Sequence, residues 1–412
     1  MLKHISRRGF LAIASSGLLS STCAALPSLG NKIPPWFNFK QELTNTWDFN
    51  TISPNHVKVN AIGFHGNALT KVLVLYAQKS TAYDVAISEM LTIFDEKRLR
   101  LRLDVIYYGS QPDTAMAAVK AAETDGTRAI IAMGSDTTSL MLKNYRDGKL
   151  PVITVCSKDP VILKQTPGYD FGSGTNFAFT SLNMPIDAQV GYLLQLRPQL
   201  KNVAVLVDAS NVSAVETQAK PVAEYLNRRD IRALSLAVTD GASAPAQLPS
   251  MMSHAIAAMR RTDPTLQNSV FWITGSTAIF NQLKLISSMA GKVPVISVVP
   301  EVVRPGDDSA VLSVGVSFES NAHLAAIYVS KVLKDPTNVG KLKVGVVSPP
   351  DIAINFRKAK AIDLRIPFSF FESATTVYDY DGKLVRADGV NITKRLISTR
   401  VSGGATNAII NQ

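Results

Sequence analysis

Hydrophobic and polar positions along this chain follow two periods that succeed each other regularly. Short apolar runs such as 129–133 have the length of buried strands in a parallel sheet. Longer segments whose apolar residues have helical spacing, such as 82–96, lie between these runs. Strands that alternate with helices of about 10–15 residues are typical of βαβ units. The pattern therefore predicts an α/β fold with parallel sheets.

This alternation occurs twice along the chain. It begins near residue 71, is interrupted by a glycine- and phenylalanine-rich passage at 168–179, and begins again near residue 185. The second half thus repeats the first, which predicts two similar Rossmann-like lobes. The elements after residue 311 are too few for a third lobe, so we expect them to cross back and complete the first two.

The two ends of the chain lack this alternation. Residues 1–25 have a basic start, a modest apolar stretch and small residues at their end, as an export signal has. A twin-arginine signal is indicated by Ser6-Arg7-Arg8-Gly9-Phe10-Leu11; an ordinary secretory signal is the alternative, and lipidation of Cys23 stays open. We expect residues 26–70 to form an extended arm or linker. Residues 379–412 are expected to form a surface hairpin with a loose tail. We therefore expect an exported, periplasmic protein.

Composition argues against several classes of partner and site. The net charge of +11 is spread along the chain without a basic stripe interleaved with aromatic residues, so we expect no nucleic-acid partner. Two cysteines and five scattered histidines offer neither a disulfide framework nor the spacing of a metal site. We expect no metal, no cofactor and a monomeric chain.

Polar residues follow the predicted strands at their carboxyl ends, where ligands of open parallel sheets bind. After 129–133 a glycine turn leads into a helix predicted from about Thr138, which aims backbone N–H groups and the positive end of a helix dipole at this edge. A similar turn follows 270–273. The candidate ligand-binding residues are Ser80, Gly134, Ser135, Asp136, Thr137, Ser157 and Asp159 in the first lobe, and Asp208, Asn211, Thr274, Ser276 and Thr277 in the second.

Two roles are open for each of these residues. Serine, threonine, aspartate and asparagine after a strand commonly cap the helix that follows. Alternatively, turns that face each other across a cleft hold one small polar molecule, with the carboxylate of an amino acid at the N–H-rich turns. Its ammonium would then suit a carboxylate such as Asp136, Asp208 or Glu319.

Motifs of catalysis are missing from the sequence. Gly172-Ser173-Gly174 does not join a strand to a helix and lacks the third glycine of a dinucleotide loop. The chain contains neither a Gly-x4-Gly-Lys-Ser/Thr phosphate loop nor a Gly-x-Ser-x-Gly nucleophile elbow. We predict no catalytic residue, and a Rossmann-like enzyme is the lesser alternative.

The segment Asp351–Pro367 is the most specific part of the chain. It resembles the closing motif of the ABC-transporter substrate-binding protein family that includes the tryptophan/tyrosine-binding proteins: a strand, an asparagine, Ala359-Lys360-Ala361 in a helix, then Leu364-Arg365-Ile366-Pro367. Upstream, Lys292–Ile296 and Gly315–Phe318 fall where that family has a Lys-Ile-Pro strand and a Gly-Val-Asp-Tyr crossing. The resemblance covers roughly residues 71–378.

The resemblance implies a type I periplasmic-binding fold, in which two lobes joined by a three-crossover hinge close on a ligand. The first lobe would comprise 71–180 plus 318–348, and the second 181–317 plus 349–378. Phe318 falls where the family has a tyrosine, and it would either stack on a ligand or fill the hinge core. Ser317-Phe318 replaces the family's Asp-Tyr, which removes one candidate partner for an ammonium group.

These observations together predict a function without catalysis. We expect the periplasmic solute-binding component of an ABC uptake system, which binds a small polar organic solute such as an amino acid or related carboxylate. Its partners would be that solute and an ABC permease in the inner membrane. A periplasmic ligand sensor with the same fold, signalling to a membrane receptor, is the alternative.

Overall fold

Two mixed β-sheets organise the chain in the computed structural model, which describes residues 32–63 and 69–392. From Ile33 onward these residues form one compact unit. The predicted export signal, residues 1–25, lies outside the described residues, as does the predicted tail after residue 392. Within the described part, each helix is too short or too polar to cross a membrane.

The first sheet contains the strands from the amino-terminal part of the chain. They are β1 (Trp47–Ser53), β2 (His56–Ala61), β3 (Thr70–Tyr76), β4 (Leu101–Tyr107), β5 (Thr127–Met133), β6 (Val152–Val155) and β7 (Phe177–Ala178). Their order across the sheet is β1-β2-β4-β3-β5-β6-β7. Neighbours from β4 to β7 are parallel, whereas β1 and β2 form an antiparallel hairpin that pairs antiparallel with β4.

The second sheet contains the later strands. They are β8 (Asn202–Asp208), β9 (Arg232–Val238), β10 (Ser269–Ile273), β11 (Val295–Ser297), β12 (Leu312–Gly315), β13 (Asp351–Asn355), β14 (Thr376–Tyr378), β15 (Leu384–Ala387) and β16 (Val390–Asn391). Their order is β16-β15-β14-β13-β12-β11-β10-β8-β9. Neighbours from β9 to β12 are parallel, and β13 is antiparallel to β12. The segment predicted as a surface hairpin extends this sheet through β15 and β16, which pair antiparallel.

Helices alternate with these strands along the chain. They are α1 (Thr81–Glu96), α2 (Pro112–Ala122), α3 (Gly134–Tyr145), α4 (Ile186–Leu196), α5 (Val212–Ala214), α6 (Lys220–Asn227), α7 (Ala244–Arg260), α8 (Thr277–Phe280), α9 (Leu283–Ala290), α10 (Phe318–Lys334), α11 (Phe356–Ala361) and α12 (Phe368–Ser373). A π-helix at Val215–Ala219 joins α5 to α6. The predicted α/β class with two mostly parallel sheets is therefore confirmed.

Alternate residues of β3 show why the central strands read as continuous apolar runs. Val72 and Val74 belong to the same buried cluster as α1, whereas Leu73 and Leu75 belong to a second cluster with α2 and α3. Because helices cover both faces of the sheet, both sets of side chains are buried. We call the first sheet with α1, α2, α3 and α10 the first lobe, since α10 packs on α1 and β6. The second sheet and its helices form the second lobe.

The prediction of an extended arm over residues 26–70 is wrong for residues 47–61. These residues form the β1–β2 hairpin at the edge of the first sheet. The hairpin forms because apolar and polar side chains alternate along it, and Trp47 is buried on the core side. The indole N–H of Trp36 donates to the carbonyl of Pro54 at 2.7 Å, so the segment before the hairpin packs on its turn.

Three segments pass between the lobes, at 179–185, 316–317 and 335–350. The first and third are joined because the Ser181 N–H donates to the Gly345 carbonyl at 2.8 Å. The second is joined to the first residue of β13, directly after the third crossover, because the Ser317 N–H donates to Oδ2 of Asp351 at 2.9 Å. The three crossovers are therefore connected by hydrogen bonds and do not run independently.

The amide of Asn321 ties the first crossover to α10 and β6. Its side chain is fully buried. The Cys156 N–H donates to Asn321 Oδ1 at 2.8 Å, and Asn321 Nδ2 donates to the Ser181 carbonyl at 3.1 Å. The Thr180 hydroxyl also donates to Oδ1, at 3.4 Å. One side chain thus satisfies buried backbone groups at the end of a strand and in a crossover.

Replacing Asn321 with alanine should lower the free energy of unfolding by about 2–4 kcal/mol, because two buried backbone groups lose their partners. Urea denaturation measures this loss. Ser320→Ala is the matched control, since that hydroxyl makes no hydrogen bond within the described part of the chain. A loss below about 1 kcal/mol for the Asn321 variant would contradict the assigned role.

Candidate functional site

A small cavity of about 50 Å³ lies between the lobes. Its walls come from turns that follow β3, β5 and β6 in the first lobe and β8 and β10 in the second, so the carboxyl ends of the two sheets face each other. The lining residues are Gln78, Ser80, Ala82, Tyr83, Ser135, Asp136, Cys156, Lys158, Leu182 and Phe318 on one side, and Asn211, Ser213, Gly275, Thr277 and Phe280 on the other. We call this space the cleft.

Some of the predicted ligand-binding residues meet in the cleft. They are Ser80, Ser135, Asp136, Asn211, Thr277 and Phe318. Capping accounts for two of them: Ser80 Oγ accepts from the Ala82 N–H at 3.3 Å, and Asn211 Oδ1 accepts from the Ala214 N–H at 3.0 Å. Ser135 Oγ instead accepts from the Lys158 N–H at 3.0 Å, which fixes the turn after β6.

Helix α3 begins at Gly134, directly after β5 and earlier than the predicted start near Thr138. Gly134 has φ +83°, and a Cβ there would lie within 1.9 Å of the Tyr83 hydroxyl, so this position requires glycine. Within the described residues, no side chain caps the start of this helix. Capping therefore does not explain Ser135 and Asp136, which lie inside the first turn, beside amides that have no side-chain partner.

The remaining predicted residues do not line the cleft. They are Gly134, Thr137, Ser157, Asp159, Asp208, Thr274, Ser276 and Glu319. Asp159 is occupied within its own turn, where its carboxylate accepts from the Val161 N–H at 2.8 Å and the Tyr169 hydroxyl at 2.5 Å. Asp208 accepts from the N–H and the hydroxyl of Ser210 at 2.9 and 2.7 Å. These two carboxylates stabilise turns.

Hydroxyl groups behind the cleft divide into two kinds. The Thr137 hydroxyl pairs with that of Tyr108 at 3.2 Å, and the Thr274 hydroxyl donates to a carbonyl of β8 at 2.9 Å. Among the described residues, the hydroxyls of Ser157 and Ser276 are buried and have no hydrogen-bond partner. Each of these two serines lies between two residues that line the cleft. Their donors therefore remain available next to it.

Lys158 is the charged cleft residue that the sequence-based prediction missed. It is only 5% exposed, and burial lowers its pKa to about 8. Within the described part of the chain, its ammonium makes no hydrogen bond or ion pair. A Cβ on Gly275 would lie 2.0 Å from Lys158 Nζ, so the ammonium of the first lobe reaches the backbone of the second. Its position after β6 could have been recognised in the sequence, whereas its burial could not.

Gln218 is a second missed residue, and it supports the far wall of the cleft. Its Oε1 accepts from the Gly275 N–H at 2.6 Å. The side chain is buried and comes from the π-helix between α5 and α6. This bond fixes the peptide that faces Lys158.

Asp136 gives the cleft a negative group. The residue is exposed at one side of the cleft, yet partial desolvation raises the pKa of its carboxyl group. The carboxylate has no hydrogen bond or ion pair within the described residues. The cleft therefore presents an unpaired cation and an unpaired anion.

In the described part of the chain, no cluster of histidine, cysteine and acidic side chains is arranged to hold a metal.

Comparison with known proteins identifies the family. The model of the ABC transporter substrate binding protein family matches residues 97–378. The chain belongs to this family. It is a family of substrate-binding proteins and not of enzymes, so the chain has a solute-binding role with an ABC permease as partner. Among curated proteins, none matches the chain.

Solved structures show which fold the chain shares. An ABC domain in complex with L-Trp from Streptococcus pneumonia has a TM-score of 0.59 at 17% identity, over 75% of this chain and 100% of that one. A conserved domain protein from Vibrio cholerae has a TM-score of 0.60 at 17% identity, with the same coverage. The ligand-free, open structure of a substrate-binding protein with adhesive properties from Clostridium difficile has a TM-score of 0.55 at 16% identity, over 74% and 98%. The expected type I periplasmic-binding fold is confirmed.

Glu319 lies in a different place, beside the crossovers. Its carboxylate pairs with Lys40 at 3.1 Å, and it lines a larger cavity of about 700 Å³ together with Glu301. Glu301 Oε1 accepts from the Phe318 N–H at 2.5 Å, whereas Oε2 is shielded from solvent and has no partner within the described residues. Burial raises the pKa of Glu301 to about 8, with further repulsion from Asp351 and Glu319. The acid therefore favours its neutral form in the folded protein.

Glu301 should make folding stability fall as pH rises. A carboxyl group whose pKa is raised on folding contributes a penalty that is absent below about pH 4.5, the ordinary value, and complete above about pH 8. We expect the free energy of unfolding to decline across this window by up to about 1.4 kcal/mol per pH unit, and Glu301→Gln to abolish that decline. Urea denaturation between pH 5 and 8 measures it, as conditions of about one pH unit apart resolve such a slope. Exposed Glu372→Gln serves as control, and an unchanged slope in the Glu301 variant would contradict the assignment.

Proposed function

We propose that this protein binds a small polar organic solute, an amino acid or a related carboxylate, in the cleft and delivers it to an ABC permease. One observation carries the proposal. Turns from both lobes enclose the cleft, and they present the unpaired ammonium of Lys158 and the unpaired carboxylate of Asp136. A zwitterionic solute has groups complementary to both.

The lining chemistry supports an amino acid in particular. Its carboxylate would lie between Lys158 and the uncapped first turn of α3, where a helix dipole favours negative charge. Its ammonium would lie toward Asp136. Tyr83, Phe280 and Phe318 provide apolar walls for a side chain. The structural neighbour from Streptococcus is described in complex with L-Trp, which agrees with this class of solute.

Entry of a solute requires the lobes to separate. Small-molecule sites usually enclose about 300–1,000 Å³, far more than the cleft does here. Each lobe has its own sheet, and the lobes are joined by the three crossovers. We propose that rotation about these crossovers opens the cleft and that the solute closes it. The neighbour from Clostridium difficile, described as ligand-free and open, agrees with such motion in this fold.

Export completes the proposal. We propose that residues 1–25 direct the protein to the periplasm by the twin-arginine route, where the solute would be captured. Solute-dependent uptake by the permease in membrane vesicles would distinguish transport from a sensory role. A sensor would bind the same solute without increasing its uptake.

A thermal-shift screen of the standard L-amino acids and small carboxylates tests solute binding directly. A solute that binds only the folded protein adds RT ln(1 + [L]/Kd), about 2.7 kcal/mol at a hundredfold excess over Kd. We expect at least one compound to raise the melting temperature. A screen in which none does, at millimolar concentration, would overturn the proposed function.

Thr277→Val should weaken binding of the solute found in that screen by about 3- to 10-fold, the effect of one lost hydrogen bond. Thr277 lines the cleft, and its hydroxyl makes no hydrogen bond within the described residues. The melting temperature of the free protein should therefore stay unchanged. Isothermal titration calorimetry compares the variant with Thr265→Val, which alters an exposed threonine away from the cleft. Equal affinities for both variants would remove Thr277 from the site.

A further inference from the structure

We propose that Lys158 is the specificity-determining residue of the cleft: it pairs with the carboxylate of the solute and makes the protein selective for organic acids. This inference rests on the proposed function and names the substrate class. It depends on three points. The fold must hold Lys158 in the cleft, no protein group must neutralise its ammonium, and solutes without a carboxylate must fit the cleft less well.

The backbone holds Lys158 in place from both sides. Its N–H donates to Ser135 Oγ, which is itself on the first turn of α3. Its side chain then crosses the cleft, where Nζ reaches the space over Gly275. The peptide of Gly275 is fixed by Gln218. Since a side chain at position 275 would occupy the position of Nζ, glycine there leaves room for the ammonium.

Nearby acidic groups do not neutralise this ammonium. Asp159, the next residue, is occupied by the Val161 N–H and by Tyr169. Glu301 bonds the Phe318 N–H on the crossover side. Asp136 faces the cleft but forms no ion pair with Lys158 within the described part of the chain.

Two weak acids in the wall of the cleft stay neutral. Cys156 and Tyr83 both line the cleft, and burial raises the pKa of each well above its usual range. Neither group supplies a negative charge at ordinary pH. The nine-tenths buried ammonium thus points into the cleft without a counter-charge.

An unpaired buried ammonium lowers the stability of the solute-free protein, since a charge that is removed from water without a partner is unfavourable. A carboxylate placed beside Nζ would relieve that penalty. A neutral solute would leave it in place, and a cationic solute would add repulsion. The same residue therefore favours acids and rejects the other two classes, which is how specificity arises from a difference of affinities.

A carboxylate fits the site better than a more highly charged acid group. Among the described residues that line the cleft, Lys158 is the sole cation, and no arginine offers the paired donors that phosphate prefers. The other side-chain donors of the cleft are uncharged: they are hydroxyls, such as those of Ser135 and Thr277, and the amides of Gln78 and Asn211. One ammonium with a few neutral donors matches one negative charge.

Two sets of probes that differ only in charged groups test the proposal. The first is L-phenylalanine, 3-phenylpropionate and phenethylamine; the second is L-leucine, 4-methylpentanoate and isopentylamine. Calorimetry measures each against the wild type, Lys158→Met and Lys143→Met, in which an exposed lysine of α3 is replaced as control. We expect the wild type and the control to bind the acids and not the amines. Lys158→Met should bind the acids at least tenfold more weakly.

Two further readouts separate recognition from a structural role. Lys158→Met should melt at the same or a higher temperature than the wild type without solute, because an unpaired buried charge is removed; a structural lysine would lower it. In the wild type, affinity for 3-phenylpropionate should fall above about pH 8, where Lys158 loses its proton. The probe stays anionic, and the Lys158 variant keeps Asp136, Cys156 and Tyr83, so a decline absent from that variant belongs to Lys158.

The outcomes distinguish this inference from the proposed function. If the amines, or a neutral sugar, bind the wild type and Lys158→Met binds them equally well, the cleft binds solutes but Lys158 does not select acids. Acid binding that is unchanged in Lys158→Met overturns the inference in the same way. If neither the probes nor any compound of the thermal-shift screen binds the wild type, the proposed function itself fails, and the inference fails with it.

Discussion

The cleft depends on the buried amide at the junction of the two lobes. Asn321 bonds the end of β6 and the first crossover at once, so the helix that returns to the first lobe is fixed to the strand whose next turn carries Lys158. The other crossovers are bonded to this junction through Ser181 and Asp351. Buried backbone N–H and C=O groups are rarely left without hydrogen-bond partners. The positions of the three crossovers relative to one another are therefore fixed together. The positions of the cleft turns follow from that arrangement.

A consequence is that stability and recognition are in conflict at the cleft. Apolar clusters on both faces of each sheet supply the favourable free energy. Among the described residues, the cleft presents an ammonium and a carboxylate that have no ion-pair partner, and the buried hydroxyls of Ser157 and Ser276 next to it have no hydrogen-bond partner. Groups of this kind are disfavoured in a folded chain unless something binds them. The cleft is marked as a site because groups of both charges come together with these hydroxyls where the carboxyl edges of the two sheets face each other.

Sequence alone predicted the alternation of strands and helices because buried parallel strands and amphipathic helices have different periods. It failed at Trp47–Ala61, where the alternation is short and the two strands pair with each other before they join the sheet. At the cleft, the rule that ligands bind beyond strand ends found Ser135, Asn211 and Thr277. The same rule selected Asp159 and Asp208, because a carboxylate that stabilises its own turn and one that faces a ligand have the same sequence context. Lys158 was missed because a lysine is usually solvated, and its ammonium lies against Gly275, which is distant in the sequence.

The π-helix at Val215–Ala219 allows one helical segment to place side chains both at the cleft and in the core of the second lobe. A π turn contains one residue more than an α turn, so every later side chain is rotated by about 100° around the axis. Gln218 can therefore point at Gly275, while Val222 and Leu226 of α6 point into the core of the second lobe. The extra residue therefore rotates the later part of the segment: a side chain of the π-helix faces the cleft, and the side chains that follow in α6 face the core. Deleting one residue there would leave the sequence composition almost unaltered. It would nevertheless rotate either the side chain that faces the cleft or the side chains that face the core away from their present positions.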